Sequence, residues 1–286
     1  MVGLPIAQAI NGSMKRQESS YLKSIYALVV IIIIESIFLL ASCQRKEKVK
    51  VEKEIPGQKE SIKPQISQGK IAIVLDDWGY TLNNLGFLKE IKEPLTLAIL
   101  PRRTHSKEIA DSARKLNKEA ILHLPLEPHQ EKKNRLEPDT ILRSMPGYEI
   151  LRILEEDCKS LPGIKGVSNH MGSLATESRP LMKLVLAELK KRKLYFLDSF
   201  TGKSVCRDLA RNIGLPYARR QVFLDNENDK NYILAQIELL AKIARQTGYA
   251  IGIGHDRPKT LEILTKAVQD LRKRGFKFVY VSELVK

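Results

Sequence analysis

The stretch KIAIVLDDWGY, residues 70–80, reads as a buried β-strand with polar chemistry at its end. Five apolar residues, three of them β-branched, run unbroken from Ile71 to Leu75 into the adjacent carboxylates Asp76 and Asp77. Seven more runs of this kind follow: LTLAILP (95–101), EAILHLPLEP (119–128), GVSNHMG (166–172), LYFLDS (194–199), YARRQVFLDN (217–226), YAIGIGH (249–255) and FKFVYVSEL (276–284). Between them lie segments such as RPLMKLVLAELKKRK (179–193) and KTLEILTKAVQDLRKRG (259–275). Their apolar residues recur three and four apart and their ends are basic, as in amphipathic helices. Strand and helix in regular alternation predict an α/β fold. Eight runs predict a distorted (β/α) barrel of seven to eight mainly parallel strands with outer helices.

The barrel is expected to fill residues 70–286. Ahead of it, Lys15, Arg16 and Lys23 precede an apolar run, 25–42, that ends Leu40-Ala41-Ser42-Cys43, so residues 1–43 read as an export segment. Its end resembles the lipobox of bacterial lipoproteins, which implies a lipid anchor at Cys43. The alternative is an uncleaved helix, because the run approaches the roughly 20 residues that span a bilayer. Either reading expects an exported, periplasmic or envelope protein held at the membrane by its N-terminal lipid or helix. Residues 44–69 mix charges with Pro56 and Pro64 and lack an apolar period, as a flexible tether does.

Lys and Arg number 48 against 33 acids, a formal charge of +15, which favours anionic partners. The charges are scattered and no basic patch interleaved with aromatics occurs, so nucleic acid is not an expected partner. Cys158 and Cys206 are too few to define a disulfide framework, although an exported protein could pair them. No feature bears on oligomeric state.

Acids and histidines fall at the C-terminal ends of the runs, where a parallel barrel gathers its active-site loops: Asp76-Asp77, His123 with Glu127, Asn169-His170, Asp198-Ser199 and His255. Two adjacent carboxylates at the end of a buried strand repel each other, so one needs a cation and the other a proton donor. Asp77, His123 and His170 supply one carboxylate and two imidazoles from separate strands. That is the open three-ligand set of a catalytic divalent transition metal, zinc foremost, with manganese, iron, cobalt or nickel compatible. Phosphate loops, dinucleotide fingerprints and the Gly-x-Ser-x-Gly elbow are absent from the sequence. A glycosidase pairing Asp76 with Glu127 or Asp198 remains open.

The strings VLDDWGY (74–80), LHLPLEP (122–128), NHMGS (169–173), FLDS (196–199) and GIGH (252–255), in this order, resemble the divergent polysaccharide deacetylase family, related to the NodB-type carbohydrate esterases. The resemblance covers residues 70 to 286. It implies a metal-dependent hydrolase removing acetyl groups from a polysaccharide, with Asp76 as general base, Asp77 as metal ligand and His255 as general acid. NodB-type enzymes carry a His-x-x-x-His pair. Here Glu127 follows His123 at that spacing, and His170 comes from a later strand. Asp198 is expected to orient His255 or a ligand, or else to cap the next helix. Glu127, Asn169 and Ser199 are candidates for substrate binding. The rival reading is a non-catalytic barrel that binds glycan or protein at the envelope.

Overall fold

A computed structural model describes residues 68–129 and 136–286. The export segment, Cys43 and the tether up to residue 67 lie outside the described residues. The uninterrupted apolar run becomes β1 (Lys70–Trp78), buried on both faces as a central parallel strand requires. The chain continues through α1 (Leu85–Glu90), β2 (Thr96–Ile99), α2 (Ser106–Lys115), β3 (Glu119–Leu126), α3 (Gly147–Ser160), β4 (Gly166–Met171), α4 (Arg179–Lys191) and β5 (Tyr195–Asp198). It ends with α5 (Cys206–Ile213), β6 (Tyr217–Arg219), β7 (Val222–Phe223), α6 (Lys230–Thr247), β8 (Tyr249–His255), α7 (Pro258–Lys273) and β9 (Lys277–Phe278). No described helix is long and apolar enough to cross a membrane.

All strand pairings are parallel, in the order β6-β5-β4-β3-β2-β1-β8-β7, with β9 beside the start of β1. The strands at opposite edges, β6 and β7, are joined by Arg220 and Gln221 alone. A link that short spans only about 10 Å, so the sheet curls into an open barrel whose edges almost meet. Arg220 fastens the seam. Its backbone N–H donates to the Asp198 carbonyl at 3.1 Å, its guanidinium donates to the carbonyls of Ser199 and Phe200, and it lies 3.6 Å over the Phe223 ring. Gln221 holds the other edge through bonds in both directions with the backbone of Ile251.

The run 217–226 is thus two short strands, not one, because its middle crosses the seam. The run 276–284 is not the eighth barrel strand. After β9 it turns into a 3-10 helix, Val281–Glu283, that plugs the N-terminal end of the barrel with Val279, Val281 and Leu284. There the buried Glu119 carboxylate accepts hydrogen bonds from Thr96 (2.9 Å) and the Tyr195 hydroxyl (2.8 Å). Tyr195 fits because Gly166 faces it, and a Cβ on Gly166 would meet the ring at 2.5 Å. Cys158 and Cys206 are both free.

Outside the barrel, the β2 loop is tied to α3 by Arg102, whose guanidinium reaches the fully buried Asp157 at 2.7 Å. Burial pushes the Asp157 carboxyl up to about 6 in spite of Arg102. The folded protein therefore binds more protons here than the unfolded chain between pH about 4 and 6, and Asp157 makes stability fall as pH rises through that window. Comparing urea unfolding across pH 4–7, Asp157→Asn is expected to flatten this slope. In the barrel, Gly166→Ala is expected to cost about 1–3 kcal/mol through the clash with Tyr195, read as a thermal midpoint lowered by several degrees.

Candidate functional site

Side chains of alternate strand residues share a face. The interior face takes Ala72 and Val74 on β1, Ile121 on β3, and Ile251 and Ile253 on β8. Two residues further along each strand the same parity brings Asp76, His123 and His255 to the C-terminal mouth, and His170 joins them from β4. The register reinforces this, since Asp76 pairs with His255 across β1 and β8, and His123 with Ser168 across β3 and β4.

Asp77 has the opposite parity and would face outward in a regular strand. Its φ of 67° lies in the left-handed region, and the β1–β2 register breaks between Leu75 and Trp78. This bulge turns the carboxylate inward. Aspartate is one of the few residues that tolerates the conformation. Met171 and Phe200, at the mouth ends of β4 and β5, are also left-handed, so three of the seven left-handed non-glycine residues among the described residues stand at the cleft.

The cleft holds about 220 Å³ and is lined by Asp76, Asp77, His123, Asn169, His170, Ser199, Phe223 and His255, among others. Asp77 Oδ1 lies 3.0 Å from His170 Nδ1 and 3.4 Å from His123 Nε2. Asp77, His123 and His170 each offer one donor atom within 4.8 Å of the others. Two ligands about 2.0–2.2 Å from one tetrahedral ion stand about 3.3–3.6 Å apart, so the two separations from Asp77 are close to those of an N, N, O set around a small divalent cation. Burial opposes ionisation of Asp77, but hydrogen bonds from both imidazoles hold its carboxyl well below the usual range. His123 is oriented from behind by Ser168, whose Oγ lies 2.7 Å from Nδ1. Such a partner fixes which ring nitrogen faces the ligand position.

Asp76 is buried, with Oδ2 3.5 Å from His123 Nε2, and burial raises its pKa. Three buried polar atoms of this one cleft, Asp76 Oδ1, His170 Nε2 and Ser199 Oγ, have no hydrogen-bond partner among the described residues. Native interiors rarely leave such groups unmatched, so the cleft has the character of a place built for a ligand.

His255 Nδ1 lies 2.7 Å from Asp225 Oδ1, while Asp225 Oδ2 accepts from the His255 backbone N–H and from Thr260. Burial works against protonation of His255, but the bond and the charge of Asp225, together with the charges of Asp76 and Asp77, raise the pKa. The residue that orients His255 is therefore Asp225, not Asp198. Asp198 is fully buried, and its oxygens accept from the Phe200 N–H, Ser204 and Tyr217, bracing the end of β5. Asp225 closes the run VFLD just as Asp76 and Asp198 close theirs, which was the available signal. Ser168, two residues before His170, gave a weaker one.

Glu127 does not line the cleft. It accepts the Arg143 N–H at 2.6 Å and braces the following loop. Asn169 lines the cleft, but its amide is committed to the Met171 carbonyl and the Ser199 N–H. Ser199 lines it with a free hydroxyl. His105 lies beside Glu108 and His129 beside Glu177, and neither lines the cleft, although His129 follows Pro128 and donates its N–H to Ser173, both at the rim.

Residues 73–285 match the family model described as divergent polysaccharide deacetylase. The uncharacterized protein YibQ of Escherichia coli (strain K12) is 35% identical over 204 residues, 71% of this chain and 63% of that protein. The chain thus spans less than two thirds of that relative's length. An uncharacterized protein of Haemophilus influenzae is 30% identical over 206 residues, 72% of this chain and 73% of its own. Among solved structures, an uncharacterized protein of Agrobacterium tumefaciens C58 superposes with a TM-score of 0.73 at 26% identity, covering 77% of this chain and 90% of that one. By the extent of the family match, with the strand-end acids and histidines gathered in one cleft, this chain belongs to the divergent polysaccharide deacetylase family.

Proposed function

We propose that this protein is an exported, envelope-anchored hydrolase that uses a divalent metal, zinc foremost, to remove acetyl groups from a polysaccharide. The observation that carries this reading is the convergence of a three-ligand set, a buried carboxylate and an aspartate-held histidine on one cleft with unmatched polar atoms. The export segment and tether of the sequence support the location, and the family supports a glycan substrate.

Asp77, His123 and His170 would hold the cation. When bound, it supplies Lewis acidity, polarising an acyl carbonyl and making water easier to deprotonate. Asp76 accepts the proton from water as the oxygen adds to the acyl carbon. Its raised pKa makes the carboxylate a stronger base. The acyl C–N or C–O bond then breaks. His255, with Nδ1 engaged by Asp225, is left with Nε2 to protonate the departing amine or alkoxide. Ser199 and Asn169 line the same cleft, and the unpartnered Ser199 hydroxyl would be the one to bond the sugar.

Elemental analysis of the purified chain is expected to find near-stoichiometric zinc or another transition metal, lost in Asp77→Ala and His170→Ala. Absence of metal from the wild type after reconstitution would instead favour a glycan- or protein-binding barrel. Asp225→Asn is expected to keep the metal but lower kcat on an acetylated glycan by about 10²–10⁴-fold. Because Asp225 raises the His255 pKa, its loss shifts the alkaline limb of the pH–rate profile to lower pH, a change that a merely structural aspartate would not produce.

A further inference from the structure

The His255 ring is hydrogen-bonded to protein at one atom. Its Nδ1 lies 2.7 Å from Asp225 Oδ1, and Asp225 is itself held by the His255 backbone N–H and by Thr260. One bond at one ring atom leaves the plane of an imidazole free to tilt, since the terminal torsion of histidine has no sharp minimum. Proton transfer from Nε2 needs that plane set, because a misplacement of about 1 Å can cost about a hundredfold in rate.

Phe223 stands where a second constraint is needed. It pairs with Ile253 across β7 and β8, which makes His255, two residues further along β8, its diagonal neighbour on the same face. Aromatic side chains reach across such a diagonal. The two rings are within 10° of parallel with centroids 6.1 Å apart, in the range of offset-stacked rings. Phe223 packs on the interior core and also lines the cleft beside His255. Its own plane is set by Arg220, whose guanidinium lies 3.6 Å over the ring centroid. That guanidinium is fixed in turn by donating to the carbonyls of Ser199 and Phe200. Among the described residues Arg220 is in no ion pair, so carbonyls and a ring face, not a carboxylate, determine where it sits.

We infer that Phe223 is a positioning residue for His255, holding the imidazole in the plane that presents Nε2 to the cleft, with Arg220 bracing the Phe223 ring from the seam. The role of His255 in proton transfer rests on the function proposed above, whereas the fixing of its ring does not.

The test uses the full chain carrying isotope-labelled histidine, with His255→Gln to identify the His255 signals in nuclear magnetic resonance spectra. In the wild type the Nδ1 proton shared with Asp225 is expected to be visible and the ring to give one sharp set of signals. Phe223→Leu, which keeps an apolar side chain at a half-buried position, is expected to lose that proton signal to exchange and to broaden or split the ring signals. On an acetylated glycan the same variant is expected to lower kcat by about ten- to a hundredfold, with KM and metal content unchanged. Phe223→Tyr retains the ring and is expected to restore both readouts. Arg220→Lys keeps the charge but not the planar fork and is expected to loosen His255 in the same way. A His255 as sharp and protected in Phe223→Leu as in the wild type would overturn the inference. So would a raised KM at unchanged kcat, which would make Phe223 a substrate contact. An undisturbed His255 in Arg220→Lys would overturn the bracing by Arg220. If the wild type neither loads metal nor releases acetate, the hydrolase reading falls, and the His255 signals alone decide whether Phe223 positions the ring.

Discussion

Two residues, Arg220 and Gln221, join the strands at opposite edges of the sheet, and the geometry of the domain follows from that short link. An eight-strand parallel sheet could remain open and twisted. Here its edges must approach, so it curls until the inner side chains meet in one core. Curling brings the C-terminal ends of β1, β3, β4 and β8 around a single mouth. Arg220 holds the seam from both sides, bonding to carbonyls after β5 and stacking on the Phe223 ring of β7. Phe223 in turn lies nearly parallel to the His255 ring, with centroids 6.1 Å apart. The residue that fastens the barrel is thus one ring away from the histidine of the cleft.

Electrostatics within the cleft depend on a local exception to strand geometry. Regular alternation supplies Asp76, His123, His170 and His255, which by itself leaves Asp76 as the one carboxylate lining the cleft. The left-handed Asp77 adds the second carboxylate. The two acids then differ in character. Asp77 is engaged by two imidazoles and stays ionised, whereas burial shifts Asp76 toward its neutral form. Neighbouring residues of the same type acquire distinct environments because one lies in a regular strand and the other at a bulge.

The strand runs and helical segments were legible because burial on a parallel sheet demands uninterrupted apolar residues, and the outer helices demand a 3.6-residue period. The strand-end acids and histidines were legible for the same reason, since polar residues stand out where such runs stop. What escaped was pairing. Whether Asp198 or Asp225 faces His255 depends on which strands are neighbours, and β8 lies between β1 and β7, away from β5. The seam escaped as well, because YARRQVFLDN has strand character throughout and only the sheet order reveals that its middle crosses from one edge to the other. Glu127 stands four residues after His123, yet the turn after β3 directs it to the backbone of Arg143.

The central strand also sets the order in which the domain can be completed. Lys70 pairs with Tyr249 on β8 and with Lys277 on β9, so the earliest strand obtains its partners from the latest segments. Contacts this distant in sequence make folding slow. During synthesis β1 can pair with β2 but keeps its other edge bare, and the barrel floor stays open until Val281 and Leu284 arrive to fill it. A nascent or partly truncated chain thus presents an unpaired apolar edge, a template for association with other chains. Keeping the protein soluble before its last strand is made falls to whatever binds that edge.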